Sequence, residues 1–331
     1  MPAALLFLVS GAIVVLAGTA LTGAADAIAE RTGIGRLWIG AVLLAAATSL
    51  PELTTDVAAV RLGAPDLAAG DLFGSSMANM GILALLGLLR PRGRIFREVT
   101  LDHALTAALA VTLNSVAAVL VILRPQGVIL GVSPWTLILP VGFAAGMRAI
   151  FLQGVRSAAL APPPPPANGP AGVTLGAAAL RFTLASAAIL AAAPAFAAAA
   201  QRIAEQSGLG STFVGTFLLG LSTSLPEVVS SVAAIRLGAL DLAVGNLFGS
   251  NAFNMVVFFA LDVAHPAGSI FAALSPDHAL SALLATVMMA LGLAAIAYRA
   301  DRRYALLEPG SALILIVYWV GVWALYQRAV L

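Results

Sequence analysis

The stretch Thr48–Met80 reads TSLPELTTDVAAVRLGAPDLAAGDLFGSSMANM, and Thr223–Met255 reads TSLPEVVSSVAAIRLGALDLAVGNLFGSNAFNM. The two are identical at 22 of 33 positions and lie 175 residues apart (223 − 48). Compositional bias alone does not keep Pro, Glu, Arg, Asp, Gly and Asn in register. The same shift carries AERTGIG (Ala29 to Gly35) onto AEQSGLG (Ala204 to Gly210), and Asp102-His103 onto Asp277-His278. The chain is therefore built from two related halves. Each half sets a proline and a glutamate inside a long apolar stretch, which a plain hydrophobic helix does not need.

The surroundings of these motifs are those of a membrane protein. Of 331 residues, 61% are hydrophobic and only 10% are charged, and the mean hydropathy is +1.01. Average soluble domains are about 45–50% apolar and about 25% charged. Cysteine is absent, which excludes a disulfide framework and a thiolate metal site. A net charge of +2 spread over membrane loops is a weak field and does not point to nucleic acid. The first 18 residues have the greasiness of a signal peptide but lack a basic leader, and they read as a membrane helix.

A spanning helix needs about 20 apolar residues. Ten segments qualify: 4–27, 37–61, 67–89, 103–123, 132–152, 174–200, 211–236, 242–263, 278–298 and 310–327. Between the fifth and sixth lies APPPPPANGPAG (Ala161 to Gly172), which reads as a semi-rigid linker because proline has no amide and a fixed φ. The expected fold class is all-α integral membrane, with ten transmembrane helices as two inverted five-helix repeats. The first repeat is 1–156, the Pro-rich linker 157–173, and the second repeat 174–331. Five spans per half is an odd number, so the second half enters the membrane upside down. Such repeats mark secondary transporters, with the site at the midplane where broken helices meet. All basic residues are arginine, and Arg31, Arg36, Arg90, Arg92, Arg94 and Arg97 fall inside if the N-terminus is outside. The reading is a multi-pass protein of the cell membrane with both termini outside and the linker inside.

Pro51 removes the amide that would bond the carbonyl of Ala47, and Pro226 does the same to Ser222. In lipid a freed carbonyl is costly unless it lines a cavity or meets a partner. A carboxylate at mid-bilayer costs at least about 2.5–3.5 kcal/mol on insertion scales and marks an ion or proton path. Glu52 and Glu227 begin the half-helices after the prolines, where the helix dipole favours negative charge. Thr48 and Thr223 lie one turn earlier, and Ser49 and Ser224 add oxygens. The next helix of each half carries Ser75 with Asn79, or Ser250 with Asn254, four apart on one face. Gly70 with Gly74, and Gly245 with Gly249, are small-residue pairs that permit close helix contact. Singly, each of these residues has a plain structural reading as a kink, a helix-to-helix bond or a back-bonded hydroxyl. Together they form an oxygen-only set, which suits hard cations such as calcium and sodium. Two carboxylates balance one calcium, two sodium ions or two protons. Asp56 and Asp71 read either as solvated surface acids or as an asymmetric ion entrance. The Asp-His pairs at 102–103 and 277–278 read as helix caps, with a pH-sensing histidine as the alternative.

The pair TSLPE plus G-[DN]-L-F-G-S-[SN]-x-x-N, in both halves, resembles the calcium/cation antiporter superfamily, closest to its prokaryotic sodium/calcium exchanger branch. The resemblance implies ten helices, with ion ligands from the second, third, seventh and eighth. It implies Glu52 and Glu227 as calcium carboxylates, assisted by Thr48 and Thr223. Ser49, Ser75, Ser224 and Ser250 would serve flanking sodium sites. The carbonyls of Ala45 and Gly220 would contribute, and Asn79 and Asn254 would occupy the middle. Potassium-dependent relatives carry aspartate where Asn79 or Asn254 stands, so potassium coupling is disfavoured. The expected function is a secondary antiporter that exchanges calcium for sodium by alternating access. Proton/calcium exchange is the alternative within transport, and a passive cation channel the alternative outside it. No nucleophile–base pair or phosphate loop points to an enzyme. No cofactor and no obligate protein partner is expected; the partners are calcium, sodium and the lipid bilayer.

Overall fold

The computed structural model describes residues 2–89, 94–160, 174–207, 223–265, 268–300 and 308–330. Linker residues 161–173, Gly220 and residues 211–222 of the segment expected at 211–236 lie outside these residues, while residues 157–160 of the expected linker belong to a helix. The described chain is helical, with one isolated β-bridge between Ile129 and Val132.

Helix α1 (Ala3–Thr32) ends where Gly33 turns left-handed (φ 68°) and its N–H bonds the carbonyl of Ala29. The second span is broken. Its first part, α2 (Arg36–Thr48), contains a wide π turn over Ile39–Leu44, and its second part is α3 (Leu50–Arg61). They meet at Ser49 (φ −91°, ψ 5°) with a bend of 43°. Pro51 sits in the first turn of α3, where a missing amide costs nothing. The remaining helices are α4 (Pro65–Leu86), α5 (His103–Leu123), α6 (Ile138–Leu160), α7 (Leu175–Ser207), α8 (Leu225–Arg236), α9 (Leu240–Ala264), α10 (His278–Tyr298) and α11 (Pro309–Val330). Among the described residues, eight helices are long and apolar enough to cross a membrane, or nine if α2 and α3 count as one bent span.

Burial separates the helices into a centre and a rim. Helices α4 and α9 are the most enclosed of the spans. The rim presents large apolar side chains outward, among them Leu8 and Leu16 on α1, Leu180 and Leu184 on α7, and Trp319 and Trp323 on α11. That is the surface a bilayer covers. Around the centre, α1 packs along α7, α5 along α10, and the π turn of α2 along α9. This last contact is backbone to backbone. A Cβ on Gly249 would stand 2.3 Å from the Ala41 carbonyl oxygen, one on Gly245 2.7 Å from that of Leu37, and one on Gly40 2.6 Å from that of Leu242. Gly245 and Gly249 therefore do what small residues do between membrane helices. Gly70 and Gly74 meet no such backbone among the described residues.

Matched bonds tie the halves together. His103 Nε2 lies 3.0 Å from Asp241 Oδ1, and His278 Nε2 lies 3.0 Å from Asp66 Oδ1. The Thr100 amide donates to Asp241 Oδ1 at 3.1 Å, and the Ser275 amide to Asp66 Oδ1 at 2.7 Å. Adding 175 converts each bond of one set into its counterpart, with the halves exchanged. This corrects the helix-cap reading: neither Asp102 nor Asp277 caps its helix through its side chain. The following histidine instead reaches across to the opposite half. The short helices Ile95–Glu98 and Ile270–Ala273 likewise match, and each has its first amide held by a buried carboxylate. Ile95 donates to Glu308 Oε1 and Ile270 to Asp262 Oδ1, at 2.5 and 2.7 Å.

Candidate cation site

The break at Ser49 turns the end of α2 and the start of α3 inward, against α8 and α9 of the other half. Thr48, Ser49 and Glu52 are buried there, and so are Thr223, Ser224 and Glu227 at the start of α8; each glutamate is only 2% exposed. Ser75 and Asn79 on α4, and Ser250 and Asn254 on α9, are buried as well.

These residues reach one another across the halves. Thr48 Oγ1 donates to Asn246 Oδ1 at 3.4 Å and lies 3.5 Å from Ser250 Oγ. Ser49 Oγ reaches Glu227 Oε1 at 3.5 Å, the long limit of a hydrogen bond. Thr223 Oγ1 donates to Asp71 Oδ1 at 3.3 Å. One layer away, Asn254 Nδ2 donates to Ser75 Oγ at 2.8 Å, and Asn79 Nδ2 to Asn251 Oδ1 at 2.9 Å. Asn246, which the motif reading passed over as a variable position, donates to Ser230 Oγ at 3.0 Å. Its register with Asp71 is the signal that could have drawn attention to it. The carbonyl of Ala45 accepts both the Ser49 amide (3.0 Å) and Thr48 Oγ1 (3.2 Å).

Several oxygens at this place have no donor. Glu52 Oε2, Glu227 Oε2, Asn79 Oδ1 and Asn254 Oδ1 are buried and without a hydrogen-bond partner among the described residues, as is the Ser224 hydroxyl. The four named first are acceptors only. Buried polar atoms in folded proteins are nearly always paired, and a cluster of unpaired acceptors is the kind of lining that water or a cation satisfies. Among the described residues no three His, Asp or Glu side chains converge closely enough to hold a metal alone. The oxygens gathered here are mixed: carboxylate, amide and hydroxyl oxygens from α2, α3, α4, α8 and α9. A mixed oxygen set of this kind binds hard cations and offers nothing to soft ones.

Asp56 and Asp71 are not surface acids. Asp56 is 2% exposed, and the Oδ2 atoms of both residues are buried without a partner.

Comparison with known proteins gives the same picture. The family model described as sodium/calcium exchanger protein matches residues 2–147 and 177–327. CaxA of Alkalimonas amylolytica, named a proposed antiporter, is 30% identical over 280 residues, covering 81% of this chain and 83% of that protein. The sodium/calcium exchanger MaX1 of Methanosarcina acetivorans is 43% identical, but over only 58 residues, 18% of this chain and 17% of its own. A solved structure of the sodium-calcium exchanger NCX_Mj superposes with a TM-score of 0.73 at 20% identity, covering 97% of both chains. At that identity the likeness is one of fold.

Proposed function

The chain belongs to the sodium/calcium exchanger family of membrane cation antiporters, and we propose that it exchanges calcium for sodium by alternating access. The observation that carries this reading is the group of unpaired, buried acceptor oxygens on Glu52, Glu227, Asn79 and Asn254. Two carboxylates match the charge of one calcium ion or of two sodium ions. In this reading Glu52 and Glu227 hold calcium with Thr48 and Thr223. Ser49, Ser75, Ser224 and Ser250 serve flanking sodium ions, Asn79 and Asn254 occupy the middle, and the carbonyls of Ala45 and Gly220 contribute at the margins.

The architecture of the proposal is ten spans in two inverted repeats, 1–156 and 174–331, joined by an inner linker at 157–173, with both termini outside. The exchanged pairs His103–Asp241 and His278–Asp66 support it, because a two-fold relation between halves generates such reciprocal bonds. The two long rim helices α1 and α7, which pack on each other, slide as the gate. Exchange without leak follows from electrostatics. Calcium and sodium compete for the same two glutamates, and the empty, doubly negative site resists passage through a dry barrier.

The test is calcium-45 uptake into proteoliposomes loaded with sodium, against a set loaded with potassium under an imposed pH gradient. Uptake that follows the sodium gradient is expected. Uptake that ignores sodium and follows the pH gradient would move the protein to proton/calcium exchange. Uptake that continues without any opposing gradient would make it a channel.

A further inference from the structure

Helix α1 meets the rest of the molecule mostly through apolar and small side chains. Among the described residues, three of its side chains bond to another helix. Thr22 donates to the carbonyl of Ser230 at 3.3 Å, and Asp26 and Glu30 both accept from Arg36. Arg36 Nε donates to Asp26 Oδ1 at 2.5 Å. Its Nη2 donates to Asp26 Oδ2 at 3.2 Å and to Glu30 Oε1 at 3.0 Å. One guanidinium thus holds two carboxylates one turn apart at the end of α1, with a fork on the first. The Asp26 side chain is only 16% exposed, which shields the pair in part from water.

Arg36 itself stands on the fixed side of this contact. It opens α2, whose backbone lies against that of α9. A Cβ on Gly245 would stand 2.7 Å from the Leu37 carbonyl oxygen, and one on Gly40 2.6 Å from that of Leu242. Backbones packed this closely leave α2 no room to shift against α9. Between α1 and Arg36 the chain turns at Gly33 (φ 68°) and Gly35 (φ 89°), two left-handed glycines that form the joint. The ion pair therefore crosses the joint between the helix read above as a gate and the core. In the second half the joint recurs in sequence, as Gly208 and Gly210, and the pair does not. The positions matched to Asp26 and Arg36 are Gln201 and Ser211.

We propose that Arg36 is a positioning residue for alternating access: it latches α1 to the core in the arrangement of this structure and releases before α1 slides. The proposal rests on the reading of α1 as a gate and adds what restrains it. Such short bonds do not survive a slide of half a turn, about 2.7 Å. The second half carries neither the arginine nor the aspartate of this latch, so the two gate helices are restrained unequally.

The test reads the position of α1 directly. The chain has no cysteine, so Leu5→Cys on α1 and Leu62→Cys just after α3, both at exposed positions, take one pair of spin labels. Pulsed electron resonance on the full chain in lipid nanodiscs then gives the distance between them. One main distance is expected in the labelled parent at low potassium chloride. Arg36→Gln and Asp26→Asn/Glu30→Gln should each raise the population of a second distance by about threefold, the weight of a partly exposed charge network. Arg36→Lys, which keeps the charge, should stay near the parent. High potassium chloride should move the parent as neutralisation does and leave Arg36→Gln unchanged. Matching elution and melting temperature check the fold of all variants. If both neutral variants keep the parent's distance while exchange of calcium for sodium still moves the labels, the latch is overturned and the gate stands. A shift in one neutral variant and not the other also overturns the latch, since an ion pair can be broken from either side. One unchanging distance in every variant and every ion overturns the latch and the gate together.

Discussion

The two TSLPE stretches carry the same five residues and sit in different company. At the first, Thr48 faces an amide and a hydroxyl, Asn246 and Ser250, and the Glu227 carboxylate of the opposite half. At the second, Thr223 faces a carboxylate, Asp71. Ser49 reaches across to Glu227, while its counterpart Ser224 has no partner. One turn beyond the glutamates the contrast repeats, with Asp56 on one side and Ser231 on the other. The scaffold is thus duplicated while the charge is not. Repetition fixes where oxygens stand, and single substitutions decide how much negative charge each side holds.

If the shared glutamates are equivalent centres, neutralising either should have the largest effect and the same effect. Glu52→Gln and Glu227→Gln should each weaken calcium binding by roughly 100-fold, from the loss of about 3 kcal/mol of charge-assisted contact. Calcium-45 dialysis on the two variants checks this, and a large difference between them would break the equivalence. The next effect is structural. Gly249→Ala places a methyl against the Ala41 backbone and should cost about 1–3 kcal/mol, read as a lowered melting temperature in detergent. Gly81→Ala on α4, whose added Cβ would meet Tyr318 only at 3.6 Å, should be neutral or slightly stabilising.

The histidine pairs sharpen the same comparison through burial. The His103 side chain is fully buried against Asp241, whereas His278 and Asp66 are partly exposed, the latter by 54%. His103→Gln should therefore cost about 1–2 kcal/mol, and His278→Gln less than about 1 kcal/mol, both by thermal unfolding. The threonines carry the comparison into binding. Thr223→Val removes the donor to Asp71 and Thr48→Val a hydroxyl that meets both Asn246 and Glu227. Each should weaken calcium binding by about threefold to tenfold, since each hydroxyl meets a carboxylate of the candidate site. Unchanged binding in either would mean that its hydroxyl stands outside the site.

Much of this was legible in the sequence because membrane helices leave few ways to use a polar residue. A glutamate and a proline at one depth in each half point to a broken helix around an ion, and the break at Ser49 is found there. The span at 103–123 was readable to the residue, because Asp102 and Arg124 bound a run that holds no acid and no arginine. Other features were not readable. The π turn at Ile39–Leu44 has no pattern of its own; it accompanies the close approach of α9, a tertiary contact. Asp56 and Asp71 looked like surface acids because acids mostly are, and only the packing of α3 on α4 shows Asp56 enclosed and one oxygen of Asp71 covered. The histidines looked like capping neighbours because their partners, Asp66 and Asp241, are distant in sequence and join them only when the halves come together.

The central claim is that calcium and sodium are handled by one pair of glutamates. The most direct test is sodium-driven calcium uptake by Glu52→Gln reconstituted in parallel with the wild type at equal protein density. The account predicts gradient-driven uptake in the wild type and none above empty vesicles in the variant. Undiminished uptake by Glu52→Gln would contradict it.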